Sequence, residues 1–571
     1  MARRLTVLKF GGSVLGTEKD LPRAISEVYR WVRANDKVVV VASAYYGTTD
    51  RLEARAKQWG VDLNPHAAAE LIATGELTSC SELTMALSRS GLAAAYLSPR
   101  AANMLSVGPV LDSDPISRKV DLIERLLEDN DVVVIPGFVA CDAIGATNLL
   151  GRGGSDLSAL FVAYRLRARQ CRLLKDTDGL YEWDPKKPGP RPRCFASVTW
   201  EQALALEKRV LQPKALAFAK EQNMAFDFAC IGNEVFTRVG AESTAFRDLA
   251  QEPKVQRLTL LGAGTVGRGV YDRLAALPDR YQPVAVAVRN PDKHRDLGDV
   301  PVFGNWQDAL AVESDVVVEL MGGLESAADA IRTALNTRRH VVTGNKDVIA
   351  EYGPELEALA QENGVTLAYS AAVGGAVPMI ERVRHLRPQG IARLRGVANG
   401  TCNFITDRVL DGESYDSAVQ TAIEIGFAEA DPSADLSGRD AANKIAILAR
   451  EAFGKPCRLR DVDTSGIDGV DWNEALEQQR NGKRLRLVVS AELVQGELCA
   501  QVKPEYVAET DPLAQARGGG NALVVTLQDG TSEVVRGLGA GRYPTSEAVM
   551  ADLLDLSRLT QRLPAEEPVP A

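Results

Sequence analysis

Short apolar runs alternate with amphipathic segments through the first 180 residues of the chain. Buried strands are predicted at 5–10, 37–44, 132–135 and 171–174, and helical spacing of apolar residues at 21–34 and 155–167. Alternation of strands with helices is typical of a mainly parallel sheet covered by helices. We therefore predict an α/β domain at the start of the chain.

A second strand–helix series begins near the middle of the chain. The apolar run 258–261 leads into Gly-x-Gly-x-x-Gly and then into a helical segment. This order is that of the dinucleotide-binding turn of a Rossmann fold. Gly262 permits the tight turn, Gly264 lets backbone N–H groups approach a pyrophosphate, and Gly267 lets the helix pack on the strand. Taken alone, the motif also fits a turn that binds nothing.

Later strands add residues to this predicted cofactor site. The run 283–288 ends at Arg289, where a site selecting NAD usually has an acidic residue. Arg289 suits the 2′-phosphate of NADP instead, although a surface arginine without this function is an alternative. Two further runs lead into Gly322 and Lys346. We expect these residues at the cofactor crevice, together with Thr265 and Val266 of the turn.

The pattern changes twice more along the chain. Residues after 232 are polar and irregular to about 255, which predicts a linker. From residue 483 apolar and polar positions alternate, as in 485–493, which predicts antiparallel strands of an α+β domain. A helical segment follows at 546–559. The acidic, proline-rich end at 564–571 is expected to be disordered.

Composition excludes several classes of function. A chain of 571 residues has room for roughly three or four domains, and its net charge of −10 argues against a nucleic-acid partner. Its eight cysteines form no C-x-x-C pair, which predicts neither a zinc site nor disulfides and favours a reducing, cytoplasmic setting. No apolar stretch reaches the roughly 18 residues of a membrane span.

Three short segments of the first domain combine glycine with charged residues. They are Lys-Phe-Gly-Gly-Ser at 9–13, Gly-Arg-Gly-Gly-Ser-Asp at 151–156 and Lys-Asp-Thr-Asp-Gly at 175–179. Each alone is typical of an ordinary turn. Together, backbone N–H groups and the charges of Lys9 and Arg152 supply what phosphoryl transfer needs to hold and neutralise phosphates.

These motifs resemble, in order, those of aspartate kinases in the amino-acid kinase superfamily. Further matching segments lie at 40–44, 75–76, 134–138, 181–185 and 209–213, so the resemblance covers most of residues 5–240. This chain departs from the family's usual sequence at two positions. It has Lys175 where the family usually has threonine, and Arg209 where the family usually has lysine. It also usually carries two regulatory ACT modules, for which the segment between 232 and 262 leaves no room, so feedback by lysine or threonine through them is not expected.

The resemblance implies a function for each matched residue. At the transferring phosphate it places Lys9, Gly11, Gly12 and Asp156. For the amino acid's ammonium and carboxylate it implies Glu76 and Arg152, in a site lined by Ser43 and Thr49. On the nucleotide side it implies Asp178, Tyr181 and Asp184.

The segment 426–444 concentrates carboxylates before a helical stretch at 441–449. Asp440 and Lys444 are four residues apart and share a helix face, where a carboxylate orients an ammonium. A lysine near a substrate carbinol acts as acid or base if desolvation lowers its pKa. An exposed ion pair on a surface helix is the alternative that spacing alone leaves open.

The same segment, with 262–267, 345–346, 372–378, 396–404 and 537–541, resembles homoserine dehydrogenase over about residues 256–560. The resemblance implies that Lys444 and Lys346 transfer the proton at the substrate oxygen. Amino-acid binding is implied for Glu429, Asp435 and Asp440. A monovalent cation, Na⁺ or K⁺, is implied at the backbone carbonyls of Val373, Gly375 and Val377, with Ser370 where the family has an acidic ligand.

We therefore predict an amino-acid kinase α/β/α sandwich followed by a Rossmann domain and an α+β catalytic and dimerisation domain. The expected boundaries are 1–240 for the kinase domain, 241–255 for the linker, 256–395 for the Rossmann domain, 396–560 for the catalytic domain and 561–571 for the tail. The last helix is expected to return to the Rossmann domain.

The predicted function is a bifunctional enzyme of the route from aspartate to threonine and methionine. An aspartate kinase using ATP with Mg²⁺ precedes an NADP-dependent homoserine dehydrogenase, for which NAD stays an alternative. Small molecules are the expected partners, with no nucleic acid and no membrane, in a homodimer or larger homo-oligomer. Two alternatives stay open: a kinase-like module without catalysis, and related amino-acid substrates in a specialised pathway.

Overall fold

Parallel strands form the centre of each of the two units into which the chain divides, Met1–Glu252 and Pro253–Ala571. A computed structural model describes residues 4–117, 120–185, 187–190, 192–206, 211–233, 235–247, 255–294, 296–539 and 541–561. The motif residue Arg209 and most of the predicted tail lie outside the described residues, as does 248–254 of the predicted linker.

Strands and helices alternate through the described part of the first unit. Its strands are β1 (Arg4–Phe10), β2 (Asp36–Ala42), β3 (Ala94–Tyr96), β4 (Ser106–Val107), β5 (Asp114–Pro115), β6 (Val132–Pro136), β7 (Val139–Cys141), β8 (Thr147–Leu149), β9 (Gln170–Lys175), β10 (Phe195–Thr199), β11 (Phe226–Cys230), β12 (Phe236–Gly240) and β13 (Ala245–Phe246). Its helices are α1 (Leu21–Arg33), α2 (Thr48–Gln58), α3 (Pro65–Arg89), α4 (Asp121–Asp129), α5 (Gly154–Arg165), α6 (Trp200–Ala205) and α7 (Pro213–Glu221).

The main sheet of this unit has the strand order β13-β10-β12-β11-β9-β1-β2-β6-β3. The four strands predicted from apolar runs are the neighbours β9, β1, β2 and β6, and they are parallel. Their valine-rich sequences are buried on both faces because helices cover the sheet on either side. Parallel neighbours end at one edge, so the glycine-rich segments that follow β1 and β9 lie at the same edge.

The prediction of irregular structure from 232 to 255 is wrong for part of this segment. Strand β12 pairs with β11 and β10, and β13 pairs with β10 at the end of the sheet. The polar residues of β12 misled the prediction because the Thr237 hydroxyl is buried and satisfied, donating to the Phe195 carbonyl at 2.7 Å. The first seven residues of the predicted linker thus include a strand of the domain.

The second unit continues the alternation and then changes to longer strands. Its strands are β14 (Gln256–Leu261), β15 (Tyr281–Ala287), β16 (Val302–Phe303), β17 (Val316–Glu319), β18 (His340–Thr343), β19 (Leu367–Ala368), β20 (Ile391–Val397), β21 (Val462–Thr464), β22 (Lys483–Val494), β23 (Glu497–Ala508), β24 (Gly520–Leu527) and β25 (Ser532–Leu538). Its helices are α8 (Thr265–Ala275), α9 (Trp306–Ala311), α10 (Glu325–Asn336), α11 (Lys346–Glu362), α12 (Met379–Leu386), α13 (Gly400–Leu410), α14 (Tyr415–Glu424), α15 (Ser433–Leu436), α16 (Arg439–Phe453), α17 (Trp472–Arg480) and α18 (Arg542–Gln561).

The first sheet of this unit is a parallel Rossmann sheet. Its strand order β16-β15-β14-β17-β18-β19 corresponds to 3-2-1-4-5-6 in chain order. The order reverses between β14 and β17, and dinucleotides bind at such a reversal, beyond the carboxyl ends of the strands. The predicted glycine turn follows β14 at this point, and Lys346 begins the helix that follows β18.

A mostly antiparallel sheet, ordered β21-β23-β22-β20-β24-β25, forms the rest of the unit and confirms the expected α+β architecture. The boundary predicted at residue 395 falls inside β20, which pairs with β22 and β24 along its length. Helix α18 packs on α8, with the Ser546 hydroxyl donating to the Val266 carbonyl at 3.2 Å. It extends to Gln561, the first residue of the predicted tail.

All eight cysteines lie in the described part of the chain, and no disulfide joins any two of them. Among the described residues, no helix has both the length and the apolar character that crossing a membrane requires.

Candidate active sites

The glycine turn after β14 has a separate steric reason for each of its glycines. Gly262 adopts φ +98°, and a Cβ there would lie 2.4 Å from the Leu320 carbonyl oxygen. A Cβ on Gly267 would lie 2.0 Å from the Gly262 carbonyl oxygen. A Cβ on Gly264 would meet nothing within 4 Å. The first and third glycines are therefore needed by the fold, while Gly264 borders open space.

The other predicted cofactor residues lie around the same turn. Thr265 and Val266 form the first turn of α8, whose free N–H groups suit a phosphate. Arg289 is exposed two residues beyond β15. Gly322 and Gly323 adopt φ +71° and +78° after β17, and a Cβ on either would meet nothing within 4 Å. Gly322 and Gly323 therefore border open space, as Gly264 does.

A cluster of charged residues forms where the Rossmann helix α11 meets α16. Lys444 Nζ lies 2.7 Å from Asp440 Oδ2 and donates to the Ala398 carbonyl at 2.7 Å. Lys346 Nζ lies 3.2 Å from Asp440 Oδ1. The Asp440 and Lys444 side chains are each 11% exposed, so this i,i+4 pair is buried and the surface-pair alternative is wrong.

Asn399 joins the two predicted carboxylates of this cluster. Its side-chain amide donates to Asp435 at 2.6 Å and to Asp440 at 2.8 Å, while its oxygen caps α13. Sequence reasoning passed over Asn399, although an asparagine before Gly400 is a helix N-cap signal. Glu429 is exposed, and no hydrogen bond or ion pair joins it to another described residue.

Charges within the cluster set its protonation. Burial opposes ionisation of Asp440, but Lys444 and Lys346 lower its pKa to about 2. Burial also opposes the charge of Lys346, yet Asp440 and Asp347 raise its pKa above the ordinary lysine value. For Lys346 this direction is opposite to the lowering expected of a desolvated lysine. Burial and the neighbouring Asp440 raise the pKa of Asp435.

The segment predicted to bind a cation, 370–377, is hydrogen-bonded to a carboxylate of helix α18. The Ser370 N–H and hydroxyl donate to Asp552 at 2.9 and 2.7 Å. Asp552 thus brings to this loop the negative charge that Ser370 lacks. The Val377 carbonyl accepts the Met379 N–H at 2.7 Å. The described residues contain no cluster of three or more His, Cys, Asp or Glu side chains suited to a metal ion. A cation at the carbonyls of Val373, Gly375 and Val377 stays a prediction.

In the first unit, two lysines converge on one buried carboxylate. Lys9 Nζ on β1 lies 2.6 Å from Asp156 Oδ1, and Lys175 Nζ at the end of β9 lies 3.0 Å from Asp156 Oδ2. Burial lowers the pKa of Lys9 to about 8, and Lys175 adds to this against the attraction of Asp156. The two lysines lower the pKa of Asp156 to about 2, against the effect of burial. Gly11 makes room here, since a Cβ would lie 3.0 Å from Lys9 Nζ.

A cavity of about 660 Å³ adjoins the glycine-rich loops of this unit. Five residues predicted at the phosphate and amino-acid sites line it: Gly12, Ser43, Thr49, Glu76 and Arg152. Glu76 Oε1 accepts the Ala44 N–H at 3.3 Å and the Thr49 hydroxyl at 3.4 Å. Its Oε2 is buried without a hydrogen-bond partner among the described residues, and burial raises the pKa of Glu76 to about 7.

The residues predicted on the nucleotide side lie together after β9. The Tyr181 hydroxyl donates to Asp178 at 2.6 Å, and Arg247 lies 3.6 Å from Asp178. Tyr181 and Asp184 line a second cavity, of about 70 Å³. This volume is small beside the roughly 300–1,000 Å³ of typical ligand pockets.

Family models match the two units of the chain separately. The family described as "Homoserine dehydrogenase, NAD binding domain" matches residues 262–370, and "Homoserine dehydrogenase" matches 378–554. The "Amino acid kinase family" matches residues 4–226.

Individual relatives match about half of this chain. A homoserine dehydrogenase of Synechocystis sp. is 38% identical over 315 residues, which are 52% of this chain and 73% of that protein. One of Bacillus subtilis is 34% identical over 315 residues, 53% of this chain and 72% of that protein. The crystal structure of a homoserine dehydrogenase from Thiobacillus denitrificans superposes with a TM-score of 0.52 at 36% identity, covering 56% of this chain and 76% of that one.

Two alanine substitutions should separate the structural glycine from the ligand-facing one. Gly264→Ala should leave the melting temperature near that of wild type and weaken dinucleotide binding by roughly tenfold or more, about 1.4 kcal/mol, because its methyl group enters open space. Gly267→Ala should lower both the melting temperature and the affinity for the dinucleotide, because its Cβ would collide with the Gly262 carbonyl. Thermal melting and fluorescence titration with NADPH measure the two effects. Wild-type affinity in Gly264→Ala would contradict a phosphate at this turn.

Proposed function

The chain belongs to the homoserine dehydrogenase family, with an amino acid kinase domain before the dehydrogenase, and we propose that its two units act in one amino-acid pathway. The second unit interconverts L-homoserine and L-aspartate 4-semialdehyde with NADP(H). The first transfers the γ-phosphoryl group of ATP to L-aspartate, giving 4-phospho-L-aspartate. A separate reductase must convert the acyl phosphate to the semialdehyde between these steps.

The convergence of Lys346 and Lys444 on Asp440 supports the dehydrogenase reaction most directly. Reduction of the aldehyde adds a hydride to its carbonyl carbon and a proton to its oxygen. A bound nicotinamide dinucleotide supplies the hydride. The raised pKa of Lys346 keeps it an ammonium at neutral pH, which suits a proton donor to the forming alkoxide.

The ammonium groups also fix the substrate's orientation. Asp440 holds both lysines by charge-assisted bonds, so a carbonyl oxygen placed between them would meet two donors without rearrangement. The carboxylates of Asp435 and Glu429 remain for the ammonium group of the amino acid. Glu429 is exposed in the free protein and is available to bind this group when substrate enters.

Lys444, 2.7 Å from the same carboxylate as Lys346, is proposed to share the proton transfer, and Lys444→Ala tests this. We expect kcat for homoserine oxidation to fall by about 10²- to 10⁴-fold, the usual contribution of a positioned acid or base. Steady-state assay of the full chain with homoserine and NADP⁺ measures it. The control is Lys483→Ala, which removes an exposed lysine at the start of β22 and should leave kcat unchanged. Activity within a few-fold of wild type in Lys444→Ala would refute the assignment.

The exposed Arg289 supports NADP over NAD. It lies just beyond β15, at the position from which a side chain reaches the adenosine ribose in Rossmann domains. A guanidinium there forms bidentate hydrogen bonds with a 2′-phosphate, whereas a 2′-hydroxyl needs an acceptor.

Arg289→Ala tests this preference. We expect kcat/KM to fall at least about tenfold with NADP⁺ and to stay within about twofold with NAD⁺, since one lost phosphate contact costs on the order of 1.5–3 kcal/mol. Assays with both dinucleotides measure the ratio, with Arg480→Ala at an exposed helix end as the control. An equal loss with both would show that Arg289 does not discriminate.

For the kinase, the supporting observation is the triad of Lys9, Asp156 and Lys175 beside the amino-acid cavity. In the proposed reaction a carboxylate oxygen of aspartate forms a bond to the γ-phosphorus, and the bond to the oxygen of ADP breaks. The ammonium groups of Lys9 and Lys175 neutralise negative charge on the phosphoryl oxygens, together with the Mg²⁺ that accompanies ATP. Lys175 thus contributes a cation where threonine is usual among the kinases that this domain resembles.

The protonation of Glu76 gives this proposal a pH signature. Glu76 pairs with the ammonium of aspartate only as a carboxylate, and its pKa of about 7 leaves it increasingly neutral below that pH. We expect KM for aspartate to rise below pH 7 by up to about tenfold per unit, as linkage to one proton requires. Glu76→Gln should raise KM and abolish this dependence, whereas Glu70→Gln, exposed on the same helix, should not.

Aspartate-dependent ADP release by the full chain measures both effects. If Glu76→Gln keeps the wild-type KM and pH profile, the amino-acid site lies elsewhere. If the wild-type chain oxidises homoserine but releases no ADP with aspartate, the first unit is a non-catalytic module or acts on a related amino acid, which a substrate panel would distinguish.

A further inference from the structure

A buried carboxylate that the proposed proton transfer does not use lies directly beneath the cofactor crevice. Glu319 ends β17 beside the reversal of strand order, and its side chain is fully buried. No ion pair joins it to a cation among the described residues. Burial accordingly raises the pKa of Glu319. Retaining an unpaired buried carboxyl lowers stability unless other bonds compensate, and such groups concentrate at functional sites.

The bonds of Glu319 lead to both parts of the site. One carboxylate oxygen accepts the Met321 N–H at 2.8 Å, at the beginning of the turn that contains Gly322 and Gly323. The other oxygen accepts the Thr343 hydroxyl at 2.6 Å, across the pair formed by β17 and β18. One side chain therefore fixes the ends of two neighbouring strands.

The contacts continue from Thr343 to Lys346. The Thr343 hydroxyl accepts the Asn345 N–H at 3.0 Å, and the Asn345 side chain both caps α11 and donates to the Gly323 carbonyl at 2.8 Å. Lys346 is the first residue of that helix. The turn and the lysine are thus held by one hydrogen-bonded ring of neutral donors around Glu319.

We propose that Glu319 is a positioning residue that holds the Gly322–Gly323 turn and Lys346 in the relative geometry that hydride and proton transfer require. The turn faces open space on the side where the dinucleotide is expected, and its glycines do not themselves restrict the backbone, so the bonds to Glu319 and Asn345 fix its position. A shift of about 1 Å between the reacting groups costs on the order of 100-fold in rate. This inference rests on the proposed dehydrogenase reaction.

The test compares Glu319→Gln, Thr343→Val and Thr343→Ser in the full chain. Glutamine has the same shape but presents an amide N–H₂ to one of the two donors, and valine removes the hydroxyl link alone. We expect both to lower kcat for homoserine oxidation on the order of 10- to 100-fold. Thr343→Ser keeps the hydroxyl and should stay within about threefold of wild type. NADPH titration of the same variants should show weaker binding in Glu319→Gln.

A double-mutant cycle separates positioning from a general loss of stability. If Glu319 acts through Lys346, adding Glu319→Gln to Lys346→Ala should lower the residual kcat by less than about threefold. Additive losses in the cycle would overturn the proposal, as would wild-type kinetics in Glu319→Gln. If Glu319→Gln does not fold, wild-type kinetics in Thr343→Val would overturn it equally. Absence of homoserine oxidation in the wild-type chain would instead refute the proposed function itself.

Discussion

The buried carboxylate of Asp440 is the interaction on which the dehydrogenase site depends. It receives Lys444 from its own helix, Lys346 from the helix that follows β18, and the amide of Asn399. It therefore links the parallel sheet to the antiparallel half of the unit. Removing such a carboxylate would leave two ammonium groups close together with fewer counter-charges, which is strongly unfavourable in a buried site.

The first unit also has a buried aspartate that binds two lysines, but the pKa of one lysine shifts in the opposite direction. Asp156 also binds two lysines, but burial lowers the pKa of Lys9, whereas surrounding carboxylates raise that of Lys346. The two pKa shifts suit the two reactions proposed. A proton donor must stay charged at neutral pH until an alkoxide forms, while a phosphate-binding lysine regains its full charge when the anionic nucleotide arrives.

Much of the fold was predictable because its strands are apolar runs of ordinary length. The glycine turn at Gly262 and the helix containing Lys444 were predictable for the same reason, since their spacing reflects local geometry. Strand β12 was not, because its polar residues are satisfied only by distant strands. Asn399 and Glu319 were also missed. Their partners are far away in sequence, and no local pattern shows that a carboxylate will be buried with neutral donors.

The packing of α18 on α8 also constrains how the protein is made. The apolar core of the Rossmann sheet includes Leu260 and Val270 near its beginning, and Val549 and Leu553 from the last helix. About 270 residues separate α8 from α18, so at roughly 5–20 residues per second a ribosome needs on the order of 10–60 s between them. Throughout this interval the apolar face that α18 covers in the folded domain has no partner, and an exposed apolar surface of this kind favours aggregation.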